Sequence, residues 1–385
     1  MLPSEIAQSG FPIPGLHHQN LLKAALLNGA DMQKAYSLWR DNVDFENEVE
    51  SASIRLLPLL YNNISKAPFG DEIFARLKGI YRKRWSEGNI FFYKIKPVLQ
   101  LLSSKEIKLI VLKGVPLAIQ YYKNIALRPM ADIDLLVLKE QRELAIHALV
   151  EDGFTIKEQA PLAFLLRTFR SVTLVKDHLE IDLHWSPLLE SFGIQSERLF
   201  WEEAVPIEVM GVKVAAFCPT DQLFHTLVHG FRYNPEPPIR WIADAVTILR
   251  SEAHVDWSRL WSLTERHKVN LQVKHALLYL EKEFQIEIPK GIVRLLHNYK
   301  GKRAERILYK NALNTGWQFE HPETFSQTVS MHYFIHLRQS TQKSFFMQNL
   351  SFVRYTSYLI KSTPAYFFKR TFNLFFKMFK PKSLD

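Results

Sequence analysis

One short run constrains this chain more than any other: Ile107-Lys108-Leu109-Ile110-Val111-Leu112, which stops at Lys113-Gly114. It is apolar, β-branched and too short for an ordinary helix, so it reads as a buried strand and its turn. Everything before it has helical spacing. Residues 16–100 place apolar side chains three and four apart, through Ala24–Leu27, Met32–Trp39, Ile54–Tyr61 and a long stretch from Asp71 to Leu102. A strand breaking into such a sequence marks the start of a different kind of unit.

The pattern after Gly114 fills that unit in. Val115–Tyr122 reads as a short helix, Asp132–Leu138 as a second strand, and Glu140–Glu151 as a helix stopped by Gly153. Ser171–Val175 and Leu179–Trp185 flank Lys176-Asp177-His178 as a hairpin, and Val205–Val209 and Val212–Phe217 flank Met210-Gly211 as another. Strands and helices interleave, so residues 103–217 are expected to form an α/β (α+β) core with a mixed sheet. Helical spacing returns after Cys218-Pro219. Thr220 and Asp221 are good cap types ahead of Leu223–Phe231, Asn234–Pro238 is a stiff loop, and Ile239–Arg250 and Trp257–Lys268 follow as helices. At 385 residues, two or three units are expected. The expected organisation is an N-terminal helical region (1–102), the core (103–217), a C-terminal helical domain (218–343) and a basic aromatic tail (344–385).

Chemistry concentrates in Arg128-Pro129-Met130-Ala131-Asp132-Ile133-Asp134-Leu135-Leu136-Val137. Strand residues two apart share a face, so Asp132 and Asp134 aim side by side while Ile133 and Leu135 point into the core. Paired carboxylates repel unless a cation stands between them. Their hard oxygens suit Mg²⁺, with Mn²⁺ as an alternative, bound together with substrate phosphates. Leu179–Trp185 adds a second acidic row, Glu180, Asp182 and His184, and Asp182 completes a triad if the two strands are neighbours. Gly114, between a strand and a helix, suits close backbone approach to a phosphate, with Lys113 supplying charge. Arg128 is a candidate for steadying a triphosphate, and His184 for contacting substrate or orienting Asp182. His225 and His229, one turn apart, read as core or cleft residues, and Arg240 and Asp244 as a pair within one helix.

These residues resemble the nucleotidyltransferase superfamily with its DNA polymerase beta-like fold, and more narrowly its uncharacterised bacterial nucleotidyltransferase family. The matching parts are Leu112-Lys113-Gly114, Arg128-Pro129 through Asp132-Ile133-Asp134-Leu135-Leu136-Val137, Asp182-Leu183-His184-Trp185, and His229 through Arg240-Trp241-Ile242-Ala243-Asp244. The resemblance implies Asp132, Asp134 and Asp182 as metal-binding and catalytic carboxylates. It also implies Gly114 as the phosphate-loop glycine and a place for Arg240 on the cleft wall. The implied reaction is Mg²⁺-dependent transfer of a nucleoside monophosphate from an NTP to an acceptor, with loss of pyrophosphate. Gly114-Val115 departs from the Gly-Ser or Gly-Gly of the wider superfamily. The competing expectation is therefore a catalytically weak or inactive binding or scaffold protein of the same fold at a membrane surface.

Composition narrows the setting. The lone cysteine, Cys218, excludes an intramolecular disulfide framework and multi-cysteine metal sites, which suits a reducing, cytoplasmic location. No run approaches the ~20 apolar residues of a spanning helix, and the opening MLPSEIAQSG lacks the features of a secretory signal. Net charge is +10, yet the stretch from Ser344 holds seven basic residues against Asp385 alone. The body is thus nearly balanced, and the total charge does not indicate a nucleic-acid partner.

Nine phenylalanines share that tail. The expectation is two amphipathic helices over 344–382, broken near Pro364, that lie on an anionic membrane surface or on a membrane-bound partner. Each nearby basic residue contributes roughly 1 kcal/mol of attraction to anionic lipid. Full-length protein should therefore co-sediment with anionic vesicles at low salt, and a form truncated before Ser344 should not. Equal sedimentation of the two forms would instead mean that the phenylalanines dock on the body.

Overall fold

The interrupting apolar run forms an interior strand. The computed structural model describes residues 13–43, 51–66, 72–188, 197–230 and 239–302, with 305, 306 and 309. Among these residues seven strands form one mixed sheet: β1 (Leu109–Leu112), β2 (Asp132–Val137), β3 (Thr155–Ile156), β4 (Ser171–Lys176), β5 (Leu179–His184), β6 (Val205–Val209) and β7 (Val212–Ala216). Their order is β3-β4-β5-β2-β1-β7-β6. All four residues of β1 are buried. It pairs antiparallel with β2 and parallel with β7, and β2 pairs parallel with β5.

Both expected hairpins are present, each closed by two residues with positive φ: Asp177 and His178 at 48° and 62°, Met210 and Gly211 at 51° and 82°. Turns of that kind match the right-handed twist of the strands they join. The turn sets the register, and β4 meets β5 with Thr173 opposite Asp182 and Ser171 opposite His184.

The helices are α1 (Leu16–Leu26), α2 (Gly29–Arg40), α3 (Leu57–Ile64), α4 (Glu72–Ser104), α5 (Arg142–Glu151), α6 (Leu162–Thr168), α7 (Pro219–Gly230), α8 (Arg240–Arg250), α9 (Trp257–His267), α10 (Asn270–Phe284) and α11 (Lys290–Asn298), with shorter turns between them. The expected Val115–Tyr122 helix is an α-helical turn, Gly114–Pro116, running into a π-helical one, Leu117–Tyr122, that buries Tyr121 and Tyr122. Helix α7 starts one residue before its expected caps. Pro219 takes the first helical position, where a missing N–H costs nothing. Thr220 and Asp221 are thereby released for tertiary bonds: Thr220 Oγ1 accepts from Asp256 N at 2.8 Å, and Asp221 takes a two-pronged ion pair from Arg259 at 2.7 Å.

Period-two alternation divides the sheet between two cores. Ile133, Leu135 and Val137, with Leu109, Val111, Ile181 and Leu183, pack under the C-terminal half of α4 and under α5. On the other face Ile110, Leu112 and Leu136 join a cluster built from helices on both sides of the sheet unit in sequence, including Leu21, Trp39, Leu60, Phe224, Trp241 and Leu277. Asp132 and Asp134 share the parity of Leu136, so the carboxylates stand on the face these helices cover. Among the described residues no helix is long and apolar enough to cross a membrane. The 234–238 loop and the tail from 344 lie outside the described residues.

Helices α7 and α8 meet where Gly230 abuts Trp241. A Cβ on Gly230 would lie 2.0 Å from Trp241 Cβ and 2.2 Å from its Cγ. Gly230→Ala should therefore cost about 1–3 kcal/mol of stability, as overpacking does elsewhere. Thermal unfolding reads it directly, and an unchanged Tm would refute this packing.

Candidate active site

Parallel pairing of β2 with β5 creates the site. The register sets Asp132 opposite Glu180, Asp134 opposite Asp182 and Leu136 opposite His184. Neighbouring strands run ~4.8 Å apart, so side chains on a shared face meet. Asp134, Asp182 and His184 each bring one ligand-type atom into a group whose members lie within 4.8 Å of one another. It is the one such group of three among the described residues. Asp132 stands two residues before Asp134 on the same face, exposed at the start of β2.

Asp134 is 4% exposed, and a carboxylate so buried needs partners. Its Oδ1 receives the Lys113 ammonium at 2.5 Å and His184 Nε2 at 3.0 Å. The far side of the imidazole shows which proton is where. His184 Nδ1 lies 3.0 Å from Arg170 Nη1, and a guanidinium only donates. Nδ1 must therefore accept, leaving the proton of a neutral ring on Nε2, directed at Asp134. In that tautomer the Nε2–H donates to Asp134, and only the other tautomer would offer Nε2 to a metal. The carboxylates, by contrast, are the hard oxygen donors that Mg²⁺ takes. Asp182, half-buried, is steadied by Thr173, whose Oγ1 donates to Oδ1 at 2.8 Å across the hairpin. Glu158 sits nearby on the Thr173 backbone N–H at 3.0 Å; burial pushes its carboxyl up, and Asp182's charge adds to the rise.

Lys113 reaches Asp134 because Leu112, the residue before it, is Asp134's register partner on β1. It does so from φ 53°, ψ −113°, a strained backbone for any residue but glycine. Gly114 follows, and a Cβ there would lie 2.6 Å from Met130 Sδ. The flexible end of the Met130 side chain packs against this glycine.

Arg128 and Arg240 lie beside the start of β2. Asp244, expected to pair with Arg240 one turn away, is instead held by Arg128 Nε at 2.8 Å and the Tyr122 hydroxyl at 2.9 Å. Burial, reinforced by the Asp244 charge, keeps Tyr122 protonated well above its usual pKa. Arg240 donates to Pro129 O at 3.3 Å. Burial first and the neighbouring Arg128 second push its guanidinium down to about 9, with Asp244 and Asp132 opposing the fall. His225 donates to Pro187 O at 3.2 Å and stacks on His229. At Cys218 burial raises the thiol pKa.

Sequence reasoning missed Arg170 and Thr173, although a signal was present. A two-residue turn at Asp177-His178 puts Thr173 opposite Asp182 by counting outward. Tyr122's bond to Asp244 spans 122 residues and has no such local signal.

Residues 51–285, a span containing every site residue named above, match the family described as "Uncharacterised nucleotidyltransferase". Among solved structures, the chain is similar to one titled "Crystal structure of an antigenic nucleotidyltransferase-like protein from Paracoccidioides brasiliensis". The likeness is 15% identity over 53% of this chain and 95% of that chain, with a TM-score of 0.34. No curated protein matches.

The Arg128–Asp244 bond pins the segment before β2 to α8. Asp244→Asn should cost about 3–5 kcal/mol, because it leaves a buried guanidinium unpaired. Tyr122→Phe, which removes one hydrogen bond, should cost about 1 kcal/mol. Denaturant unfolding of the two variants tests the ranking, and equal costs would contradict the assignment of the charge pair.

Proposed function

This chain belongs to the uncharacterised nucleotidyltransferase family, and from that membership we propose that it transfers a nucleoside monophosphate from an NTP to an acceptor hydroxyl or phosphate, releasing pyrophosphate. The observation that carries the reading is the in-register placement of Asp134 beside Asp182 on parallel strands, with Asp132 on the same face. Asp132, Asp134 and Asp182 would hold Mg²⁺, or Mn²⁺ in its place, which when bound there offsets phosphate charge and makes the acceptor oxygen easier to deprotonate.

The chain's own residues divide the remaining work. Asp182, its orientation set by Thr173, takes the acceptor's proton as the acceptor oxygen bonds to the α-phosphorus and the bond to the departing pyrophosphate breaks. His184, locked by Arg170, keeps Asp134 aimed into the cleft. Arg240 binds phosphate oxygens, for which a planar guanidinium is well matched. Arg128, committed to Asp244, fixes the segment that delivers Asp132. Lys113 offers its ammonium to the triphosphate, and Gly114 keeps the turn that carries it close against Met130.

A second reading, a binding protein of this fold without turnover, is favoured by one observation. The Lys113 ammonium already neutralises Asp134, whose charge a divalent cation needs. One experiment separates the two: binding of each NTP with and without Mg²⁺ or Mn²⁺, followed by a pyrophosphate assay with cell extract as the acceptor source. Asp134→Asn removes ligand charge but little volume. It should abolish metal-dependent nucleotide binding and pyrophosphate release while leaving the circular dichroism spectrum unchanged. Nucleotide binding with no pyrophosphate from any NTP would select the second reading, and full activity in the variant would reject the role given to Asp134.

A further inference from the structure

Resting on that reading, we infer that Lys113 is an internal cation that competes with the divalent ion for Asp134 and, once displaced, swings to the phosphates of the arriving nucleotide, so that metal and nucleotide load together. Three observations converge on it. The ammonium stands 2.5 Å from Asp134 Oδ1, in the company of a neutral imidazole. Of these two partners only the lysine compensates the carboxylate's charge, and a cation bound at Asp134 takes over that task. The lysine backbone has φ 53° and ψ −113°, a conformation suited to glycine, so the position keeps its side chain at the expense of its backbone. The lysine side chain is 21% exposed at the rim of the site while that of Asp134 is 5% exposed, so the cation can leave without the carboxylate moving. His184, held from behind by Arg170, stays on Asp134 throughout and preserves its aim.

Lysine suits this exchange better than arginine would. It is a compact point charge on a flexible stem, able to pass from one oxygen to another without a planar fork to realign. The consequence is a coupling: without metal the ammonium is held at Asp134, and nucleotide phosphates receive it once metal displaces it.

The test measures Mn²⁺ binding to the full-length chain without nucleotide, by electron paramagnetic resonance of the free ion, in wild type, Lys113→Gly, Lys113→Met and Lys113→Arg. Glycine relieves the strained backbone as it removes the charge. Methionine removes the charge and keeps the stem, so the pair guards against a folding artefact. Both should bind Mn²⁺ at least about tenfold more tightly than wild type, since a charged hydrogen bond no longer competes. Both should bind ATP less tightly once Mn²⁺ is saturating, and arginine should remain close to wild type in Mn²⁺ affinity. Mn²⁺ affinity unchanged or weakened in both neutral variants overturns the exchange. In that case, wild-type Mn²⁺ binding that is lost in Asp134→Asn leaves the proposed function standing. Mn²⁺ bound by none of the proteins also overturns the exchange, and the proposed function then stands or falls on metal-dependent binding of NTP.

Discussion

Two carboxylates on adjoining strands repel each other across less than 5 Å, and the structure around Asp134 and Asp182 is arranged to make that repulsion bearable. Each acid has its own support. Asp134 takes an ammonium from the end of β1 and an imidazole from β5; Asp182 takes a hydroxyl from β4. The supports come from three strands, so the electrostatic arrangement and the sheet order are one constraint. A register slip of one residue would turn Asp134 into the core and Leu135 onto the site face.

Histidine 184 illustrates how a chemical role follows from a remote partner. Taken alone it is a good metal-ligand type beside two aspartates. Arg170 lies across the hairpin, where Trp185 N bonds Arg170 O at 2.9 Å, and its guanidinium fixes the ring's tautomer. The ring is therefore a donor toward Asp134. Partners of this kind, one step behind the acids, aim such groups and tune their affinity.

A second tie binds the sheet to the helices. Arg128 precedes β2 and Asp244 lies in α8, and both are buried. The pair carries little net stabilisation over an apolar substitute, but it costs heavily when broken, which fixes where the β2 entry sits. It also leaves Arg240 to donate to the Pro129 carbonyl oxygen just before β2. The helices that cover the site face come from both before and after the sheet in sequence.

Local rules made much of this legible. Alternation by two places Asp132 with Asp134 and Asp182 with His184 on common faces, and the two-residue turns at Asp177-His178 and Met210-Gly211 define both hairpins. Those features depend on neighbours a few residues away, so the chain carries them by itself. It carries no record of which strands lie side by side. That β5 joins β2 in parallel is decided by burial of Ile133, Leu135, Ile181 and Leu183 beneath α4 and α5, and only that pairing brings Asp182 to Asp134. Likewise Asp244 had a plausible partner one turn away in Arg240, yet the fold gives it Arg128, 116 residues distant. A buried charge takes whichever partner packing delivers in good geometry, and sequence spacing says nothing of that. The composition and order of the acidic strands were set by the sequence alone; their convergence, the neutral His184 and the Lys113 ion pair were decided by tertiary packing.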